Sequence, residues 1–275
     1  MTDLAVIMSV YLNDKLVFVK ESVESILNQT FSDFHFYLVF DGPVSQEIED
    51  YFKTLNDERI KLFRITENGG LAGALNYLLE VVLKNPEYNL IARMDSDDIS
   101  MSGRFEKQYE FLKDNQDISC TGSWFEEIDE DGNILYYRRL PIDHEALRRR
   151  YITRAPFAHS SVMFRRSLIE TAGFYPENTV LMEDNLLWGN ALKQGLKFAN
   201  IPEYLLKFRI DKNFFKRRSG VRYGWNYIRT RFAINKMLGS GFVSYLFSFC
   251  IGVIKMLPPF ILKLSHKVFR LIISF

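Results

Sequence analysis

The chain has 275 residues, of which 47% are hydrophobic, so it can bury one large core or one domain with an appendage. Its formal net charge of +1 is the sum of two regions of opposite charge. Residues 1–211 contain all 34 acidic residues and 23 of the 35 basic ones, whereas residues 212–275 contain the other 12 basic residues and no acid. The two cysteines, Cys120 and Cys250, fit neither a disulfide framework nor a thiolate metal site. Because the start of the chain lacks the features of a signal peptide, we expect a cytoplasmic protein.

Short apolar runs alternate with helical patterns over residues 1–115. The apolar runs predict strands at Leu4–Val10, Phe34–Phe40, Ile60–Ile65 and Tyr88–Met94. The patterns between and after them predict helices at Lys15–Asn28, Gln46–Leu55, Leu71–Lys84 and Arg104–Lys113. This alternation is typical of βαβ units, and it predicts a parallel sheet in an α/β nucleotide-binding half.

Residues 116–211 have a looser pattern, with mixed strand signals and longer loops. Strands are predicted at Ile118–Ser123, Ile134–Arg138 and Ser160–Phe164, and helices at His144–Tyr151 and Asn185–Gln194. We interpret this part as an acceptor-binding half that extends the same sheet. Residues 1–211 are therefore expected to form one domain.

Residues 212–275 form a basic and apolar tail. Gly241–Leu257 is almost wholly apolar but short for a bilayer crossing, which needs about 20 residues. Within 260–275 the basic side chains lie in one arc of about 100° at helical spacing, typical of a helix in the membrane interface. These side chains are Lys263, His266, Lys267 and Arg270. The alternatives are a helix packed on the body or a homodimer contact, and no motif indicates nucleic-acid binding.

An acidic turn, Asp95-Ser96-Asp97-Asp98, follows the fourth predicted strand. Its carboxylates repel one another, and a hard cation such as Mg²⁺ or Mn²⁺ would relieve this repulsion because it prefers oxygen ligands. Ligand groups in α/β proteins lie at the carboxyl edge of the sheet, which is where this turn is expected. A solvated loop in which Asp98 begins the next helix explains the spacing equally well.

Two further features point to the same sheet edge. Asp41 ends the second predicted strand, where it either accepts a hydrogen bond from a nucleobase such as uracil or simply forms a turn. The glycine-rich stretch Asn68-Gly69-Gly70-Leu71 enters a predicted helix, where free N–H groups attract anions. It is not a Walker A sequence, so ATP hydrolysis is disfavoured.

Candidate catalytic groups occur in the second half. His159 precedes a predicted strand; a single histidine is more often structural, although a nearby cation or diphosphate would give it a role. Glu183 and Asp184 open a predicted helix. Asp184 is either a helix cap or a general base toward a sugar hydroxyl.

Taken in order, these motifs resemble the bacterial family 2 glycosyltransferases of GT-A fold. The matching segments, over about residues 4–210, are Val10-Tyr11, Ser25–Phe31, Asp41-Gly42, Asn68–Leu71, Asp95–Asp98, Phe157–His159 and Glu183-Asp184. The resemblance implies an α/β fold with a Rossmann-like mixed sheet flanked by helices. It also implies a nucleotide-sugar donor and a Mn²⁺ or Mg²⁺ cofactor.

The resemblance also implies individual roles. It assigns a nucleotide-binding role to Val10, Tyr11, Asp41, Asn68, Gly70, Arg93 and Asp95, with Asp41 on uracil and Asp95 toward ribose or sugar. Asp97 would bind the cation, with His159 as a further candidate ligand, and Asp184 would be the catalytic base. Glu183 and Trp124 are expected on the acceptor side. The chain departs from the family at Phe40, often an acid there, and at Asn185, often Tyr.

The implied reaction is inverting transfer of a hexose from a UDP-sugar to a lipid-linked saccharide during O-antigen or capsule assembly. The tail leads us to expect attachment to the cytoplasmic face of the inner membrane. One alternative is a sugar-phosphate nucleotidyltransferase, whose glycine-rich basic signature is missing from Leu4–Asn13. Another is a non-catalytic membrane scaffold that binds nucleotide sugars, against which the presence of both the acidic turn and Asp184 argues.

Overall fold

The computed structural model describes residues 2–179 and 181–264 of the chain. Its strands are β1 (Leu4–Val10), β2 (Phe34–Asp41), β3 (Ile60–Ile65), β4 (Leu90–Arg93), β5 (Ile99–Ser100), β6 (Ile118–Ile128), β7 (Ile134–Arg138), β8 (Met163–Arg165) and β9 (Lys197–Arg209). Its helices are α1 (Leu16–Leu27), α2 (Gln46–Thr54), α3 (Gly70–Leu83), α4 (Arg104–Asp114), α5 (His144–Tyr151), α6 (Arg166–Ala172), α7 (Glu183–Lys193), α8 (Phe214–Arg217), α9 (Val221–Met237) and α10 (Phe242–Met256).

All nine described strands belong to one mixed sheet in the order β3-β2-β1-β4-β8-β6-β9-β5, with β7 beside β6. β3, β2, β1 and β4 are parallel, with Leu4 of β1 opposite Phe34 and Leu90. β8 is antiparallel to both β4 and β6, and β6 is parallel to β9. The predicted mixed α/β sheet is therefore confirmed.

Helices cover both faces of the sheet, which explains the continuous apolar runs in its central strands. In β1, Ala5 and Ile7 pack toward α3, α6 and α7, whereas Leu4, Val6 and Met8 pack toward α1, α2 and α4. Two apolar cores result, one on each side of the sheet. The carboxyl ends of β1, β2 and β4 meet at one edge between these layers.

The second half departs from prediction at the end of β6, at the start of one strand and at two unpredicted elements, α6 and β9. The predicted strand Ser160–Phe164 is wrong at its start: His159–Ser161 form a 3₁₀ turn before β8, because Ser161 donates from both N and Oγ to the Ala158 carbonyl. The 13-residue strand β9 was not predicted. Pro202 interrupts its pattern, and the register to β6 skips Pro202 and Glu203.

The tail helices pack on the body instead of extending away from it. α10 packs along α9, and α9 packs on α7, where Ile234 is fully buried in the core. Gly224 and Gly252 allow the close helix crossing, since a Cβ on Gly252 would lie 2.2 Å from the Cγ1 of Ile228. The packed-helix alternative is therefore correct for α9. No described helix is long and apolar enough to cross a membrane.

Part of the predicted interfacial helix falls outside the described residues. Residues 259–264 are helical and include Lys263. His266, Lys267 and Arg270 lie beyond residue 264, so the predicted basic arc is not described.

Candidate active site

The acidic turn lies directly after β4 at the carboxyl edge of the sheet, as predicted. Carboxylate oxygens of Asp95, Asp97 and Asp98 lie within 4.8 Å of one another, and this is the one group of possible metal ligands found among the described residues. The oxygen-only donor set suits a hard divalent cation. The three carboxylates nevertheless have different surroundings, which separate their roles.

Asp95 is held by the preceding arginine. Arg93 is buried, and its Nη1 donates to Asp95 Oδ2 at 2.7 Å while Nη2 donates to Asp95 Oδ1. This bidentate pair fixes both oxygens of Asp95. Ser22 Oγ donates to the Asp95 carbonyl at 2.7 Å, which ties the turn to α1.

No group among the described residues donates a hydrogen bond to the carboxylate of Asp97. Burial, then the charge of Asp95, raise its pKa to about 6, and Arg217 and Arg93 act in the opposite direction. A bound cation would favour the ionised form of this carboxylate. Asp97 therefore fits the predicted role of cation ligand on the chemistry of its donor atoms.

Asp98 is an internal anchor. Its carboxylate accepts from Ser160 Oγ and from the backbone N of Arg209 at 2.8 Å. The suggestion that Asp98 begins a helix is wrong, because β5 follows it and α4 begins only at Arg104. These bonds join the turn to the 3₁₀ segment and to the end of β9.

Two residues beside the turn were missed from the sequence. Arg209 donates from Nε to the Asp97 carbonyl at 2.8 Å, from Nη1 to the Asp129 carbonyl at 3.2 Å, and from Nη2 to Glu21. Asp14 accepts from Ser96 Oγ at 2.7 Å, and burial raises its pKa to about 7. Arg209 lies in the unpredicted β9, and Asp14 looked like an ordinary loop residue.

Asp41 organises the glycine-rich stretch. Its Oδ1 accepts from the Gly69 N at 2.7 Å, and its Oδ2 accepts from Asn68 Nδ2 at 2.9 Å. Gly42 allows this contact, since its φ is +76° and an added Cβ would lie 2.9 Å from the Asn68 N. The structure thus brings Asp41 and Asn68 together, and Gly70 begins α3. The hydrogen bonds of Asp41 stabilise the turn before this helix.

Val10 and Tyr11 lie at the neighbouring end of β1. Val10 is fully buried, whereas Tyr11 is 37% exposed and its N donates to Asp14 Oδ2 at 3.0 Å. Tyr11 is therefore the accessible member of this predicted pair.

Asp184 lies in the first turn of α7, across from the acidic turn. Asn185 Nδ2 donates to Asp184 Oδ1 at 2.8 Å. Burial raises the pKa of Asp184, and the charges of Arg93 and Arg218 lower it. Asp184 is not the N-cap, because that position is Met182.

Glu183, next to Asp184, is buried, and burial raises its pKa to about 6. Both carboxyls line the same cavity. The structure thus brings Glu183 and the predicted base Asp184 together, and the acceptor-side role of Glu183 stays a prediction.

His159 and Trp124 are placed differently from the other predicted residues. His159 Nε2 lies 2.9 Å from the Tyr175 hydroxyl, and burial holds its pKa well below the usual value, so the ring is neutral. Among the described residues, His159 is not part of the cluster of possible metal ligands, which consists of Asp95, Asp97 and Asp98. Trp124 Nε1 donates to the Leu140 carbonyl at 2.9 Å, and Trp124 is not among the cavity-lining residues.

A cavity of about 510 Å³ joins the acidic turn to the start of α7. Arg93, Asp95, Glu183 and Asp184 line one side of it. The other side is formed by the tail, through residues of α8, α9 and α10. This volume is within the usual range for small-ligand sites, about 300–1,000 Å³. Residues of the tail, which lies outside the predicted domain of residues 1–211, thus form part of the wall of this cavity.

Residues 5–173 match the family described as Glycosyl transferase family 2. The chain belongs to this family. It is 31% identical over 88% of its length to the Escherichia coli UDP-Gal:alpha-D-GlcNAc-diphosphoundecaprenol beta-1,3-galactosyltransferase, covering 85% of that protein. It is 32% identical over 92% of its length to the Escherichia coli O-antigen biosynthesis glycosyltransferase WbnJ, covering 97% of it. The predicted relation to surface-polysaccharide glycosyltransferases is confirmed.

The fold also resembles a solved glycosyltransferase. The mannosyltransferase PcManGT of Pyrobaculum calidifontis, solved in complex with GDP-Man and Mn²⁺, matches with a TM-score of 0.64 at 15% identity, over 98% of this chain and 80% of the other. The GT-A fold class predicted from the motifs is therefore confirmed.

Proposed function

We propose that this family 2 enzyme is an inverting, metal-dependent hexosyltransferase that uses a UDP-sugar and a lipid-linked saccharide acceptor. The observation that carries the proposal is one cavity lined both by Asp95, in the acidic turn that also holds Asp97, and by Asp184 at the start of α7. Asp97 has no hydrogen-bond donor within the described residues and suits a cation, whereas the carboxylate of Asp184 accepts a hydrogen bond from Asn185 Nδ2. Such a division of environments separates a cation ligand from a general base.

The donor and acceptor classes are supported by similarity and by charge. The galactosyltransferase relative is named for a UDP-sugar donor and a diphospholipid-linked acceptor. On this chain, Tyr11, Asp41 and the turn at Asn68 and Gly70 are proposed to hold the nucleoside, with Asp95 toward ribose or sugar. This arrangement occupies the edge where β1, β2 and β4 end.

The proposed mechanism is a single displacement. Asp97 would hold Mn²⁺ or Mg²⁺, which when bound offsets the negative charge on the UDP leaving group. Asp184 takes the proton of the acceptor hydroxyl as the oxygen attacks the anomeric carbon. The bond from that carbon to the UDP oxygen breaks on the opposite face, so the configuration inverts. One base is sufficient, and no covalent sugar–enzyme intermediate forms.

The outer face of the tail supports the proposal that the protein binds the cytoplasmic face of the inner membrane. Trp225 of α9 is 54% exposed, and α10 exposes Phe242, Leu246 and Phe249 to 80%, 52% and 47%. An exposed apolar strip of this kind, with exposed cations nearby, is typical of helices that lie on anionic membranes. We therefore propose peripheral binding through residues 212–275.

Catalysis is tested with a panel of UDP-sugars and a GlcNAc-diphosphate-lipid acceptor, measuring metal-dependent UDP release. Asp184→Asn should lower kcat by about 10²–10⁴-fold, because the base is lost while its shape is kept. The exposed turn variant Asp131→Asn serves as the matched control. Near-normal turnover of Asp184→Asn would refute the assignment of the base.

Membrane binding is tested on the full chain, since Ile234 of α9 belongs to the core. The double variant Leu246→Glu and Phe249→Glu places charges on the outer face of α10. It should sediment with phosphatidylglycerol vesicles far less than wild type, because charged side chains oppose burial among the lipids. Unchanged sedimentation would disprove this membrane face.

A further inference from the structure

The cavity is lined by four cations that form no ion pair within the described residues, one from α5 and three from the tail. We call them the cationic group: Arg150, Arg218, Arg231 and Lys255. Other arginines of the site have partners, as Arg93 does in Asp95. The cationic group therefore has positive charge available for a ligand.

Two members have buried N–H groups without acceptors. Arg231 is 1% exposed; its Nη2 donates to the Tyr151 carbonyl, but its Nε and Nη1 have no partner. Arg218 Nη1 is likewise buried without a partner. Buried polar groups are nearly always hydrogen-bonded, so these donors indicate a ligand with acceptor oxygens.

The other two members are held near like charges. The Lys255 ammonium lies 5.3 Å and 5.1 Å from the ring centres of Tyr223 and Tyr227. Burial and the charge of Arg218 lower the pKa of Lys255 to about 8, and burial with neighbouring arginines lowers that of Arg150 to about 10. An anion in the cavity would relieve both the burial cost and the repulsion.

The location of the cationic group favours the acceptor over the donor. Asp184 and all four members of the group line this cavity, whereas Asp97 is not among the described residues that line it. The same cavity is lined by apolar residues of α10, namely Phe247, Ile251 and Ile254. Base, cations and apolar wall thus belong to one continuous cavity.

We propose that the cationic group binds the diphosphate of a diphosphate-linked lipid acceptor. The acceptor sugar then lies at Asp184, and the start of the hydrocarbon chain lies along Phe247, Ile251 and Ile254. The proposal rests on the proposed function only for the statement that this ligand is the acceptor. The diphosphate site itself is independent of turnover.

The test is direct binding of farnesyl diphosphate to the full chain by calorimetry, in EDTA so that no metal–diphosphate site contributes. The double variant Arg218→Gln and Lys255→Gln should bind at least tenfold more weakly than wild type, because each removes a charge-assisted hydrogen bond. The control is Arg222→Gln with Arg229→Gln, which removes the same charge from exposed positions of α9. The control should bind like wild type.

Three further ligands distinguish the sources of the phosphate. Farnesol and dihexanoyl phosphatidylglycerol should bind much more weakly than farnesyl diphosphate. Equal binding of the phosphatidylglycerol would indicate a general head-group site and overturn the proposal. If the double variant loses as much affinity for UDP with Mn²⁺ as for farnesyl diphosphate, the cations belong to the donor site and the proposal is overturned.

The remaining outcomes are also decisive. No binding of farnesyl diphosphate by wild type, or equal binding by the double variant, overturns the proposal. If thermal melting shows that the double variant is unfolded, the single variants Arg218→Gln and Lys255→Gln replace it, each with an expected loss of threefold or more. Absence of transferase activity would refute the proposed function while leaving this binding result intact.

Discussion

The two sides of the cavity are built in different ways. On the acidic side, the turn after β4 is fixed by hydrogen bonds from elements far away in sequence, including Ser160 and Arg209. On the tail side, the cations of α9 and α10 have aromatic neighbours but no ion pairs within the described residues. One side is preorganised by its own partners, and the other leaves charge available to a ligand.

This difference suits the two phosphorylated substrates that we propose. The acidic side needs a cation before it can attract a diphosphate, because its own charges are negative. The tail side is already positive and apolar, so it suits a ligand that carries both a diphosphate and a hydrocarbon chain. The predictions below change one side at a time.

The largest effect is expected from Asp97→Ala on the acidic side. Loss of the proposed cation ligand should lower the rate of metal-dependent transfer by about 10³-fold, since the leaving-group charge is no longer offset. Steady-state UDP release over a range of Mn²⁺ concentrations measures this effect. The control is Asp131→Ala, and a variant rate within threefold of wild type would contradict the ligand assignment.

On the tail side, Gly252→Leu should destabilise the protein by about 3 kcal/mol, because the new side chain overpacks the contact with Ile228. Thermal unfolding measures the loss. Gly241→Ala is the control, since an added Cβ there has no neighbour within 4 Å among the described residues. An unchanged melting temperature would show that the close crossing of α9 and α10 is not needed for stability.

Arg209→Gln addresses the support of the acidic turn. The variant loses charge-assisted hydrogen bonds to the carbonyls of Asp97 and Asp129, so we expect a stability loss of about 2 kcal/mol. The Mn²⁺ concentration for half-maximal UDP release should rise about tenfold, as for other residues that orient metal ligands. Lys207→Gln on the same strand is the control. An equal rise of the half-maximal Mn²⁺ concentration in both variants would contradict a specific role for Arg209.

The smallest effect is a shift of pH dependence in Asn185→Ala. The Asn185 amide lowers the pKa of Asp184, so its removal should raise that pKa. A base must be deprotonated, and activity is lost as the pH falls through its pKa. The acid limb of kcat should therefore move to higher pH, with about a threefold loss near pH 6 and little change at pH 8. Asn190→Ala is the control, and an unmoved limb would contradict the assignment of Asp184.

Much of the acidic side could be predicted because its signals are local. Apart from the two-residue strand β5, which was not predicted, the helix and strand bounds of the first half agree with prediction to within about two residues. Asp95, Asp97, Asp41 and Asn68 lie at the predicted sheet edge. Apolar runs and turn residues fix these elements independently of distant contacts. The start of α7 beside Asp184 was predicted on the same grounds.

The missed features depend on contacts between distant segments. β9 is recognisable only through its pairing with β6, since Pro202 breaks its pattern, and Arg209 was missed with it. Trp124 is not among the cavity-lining residues, whereas its neighbour Phe125 is, because successive side chains of a strand point to opposite faces. A shift of one residue reverses which face a side chain occupies, and no local signal reports it.

By itself, the sequence determined the family, the mixed α/β class and the order of the acidic motifs, because local spacing and residue type are sufficient to identify them. It also showed that all the excess positive charge is in the tail. Only the tertiary structure decided where that charge lies. α9 turns Tyr223, Tyr227 and Arg231 inward and Arg222, Trp225 and Arg229 outward, since burial against the body selects one helix face. The tail is therefore both an outer apolar surface and part of the wall of the candidate active site.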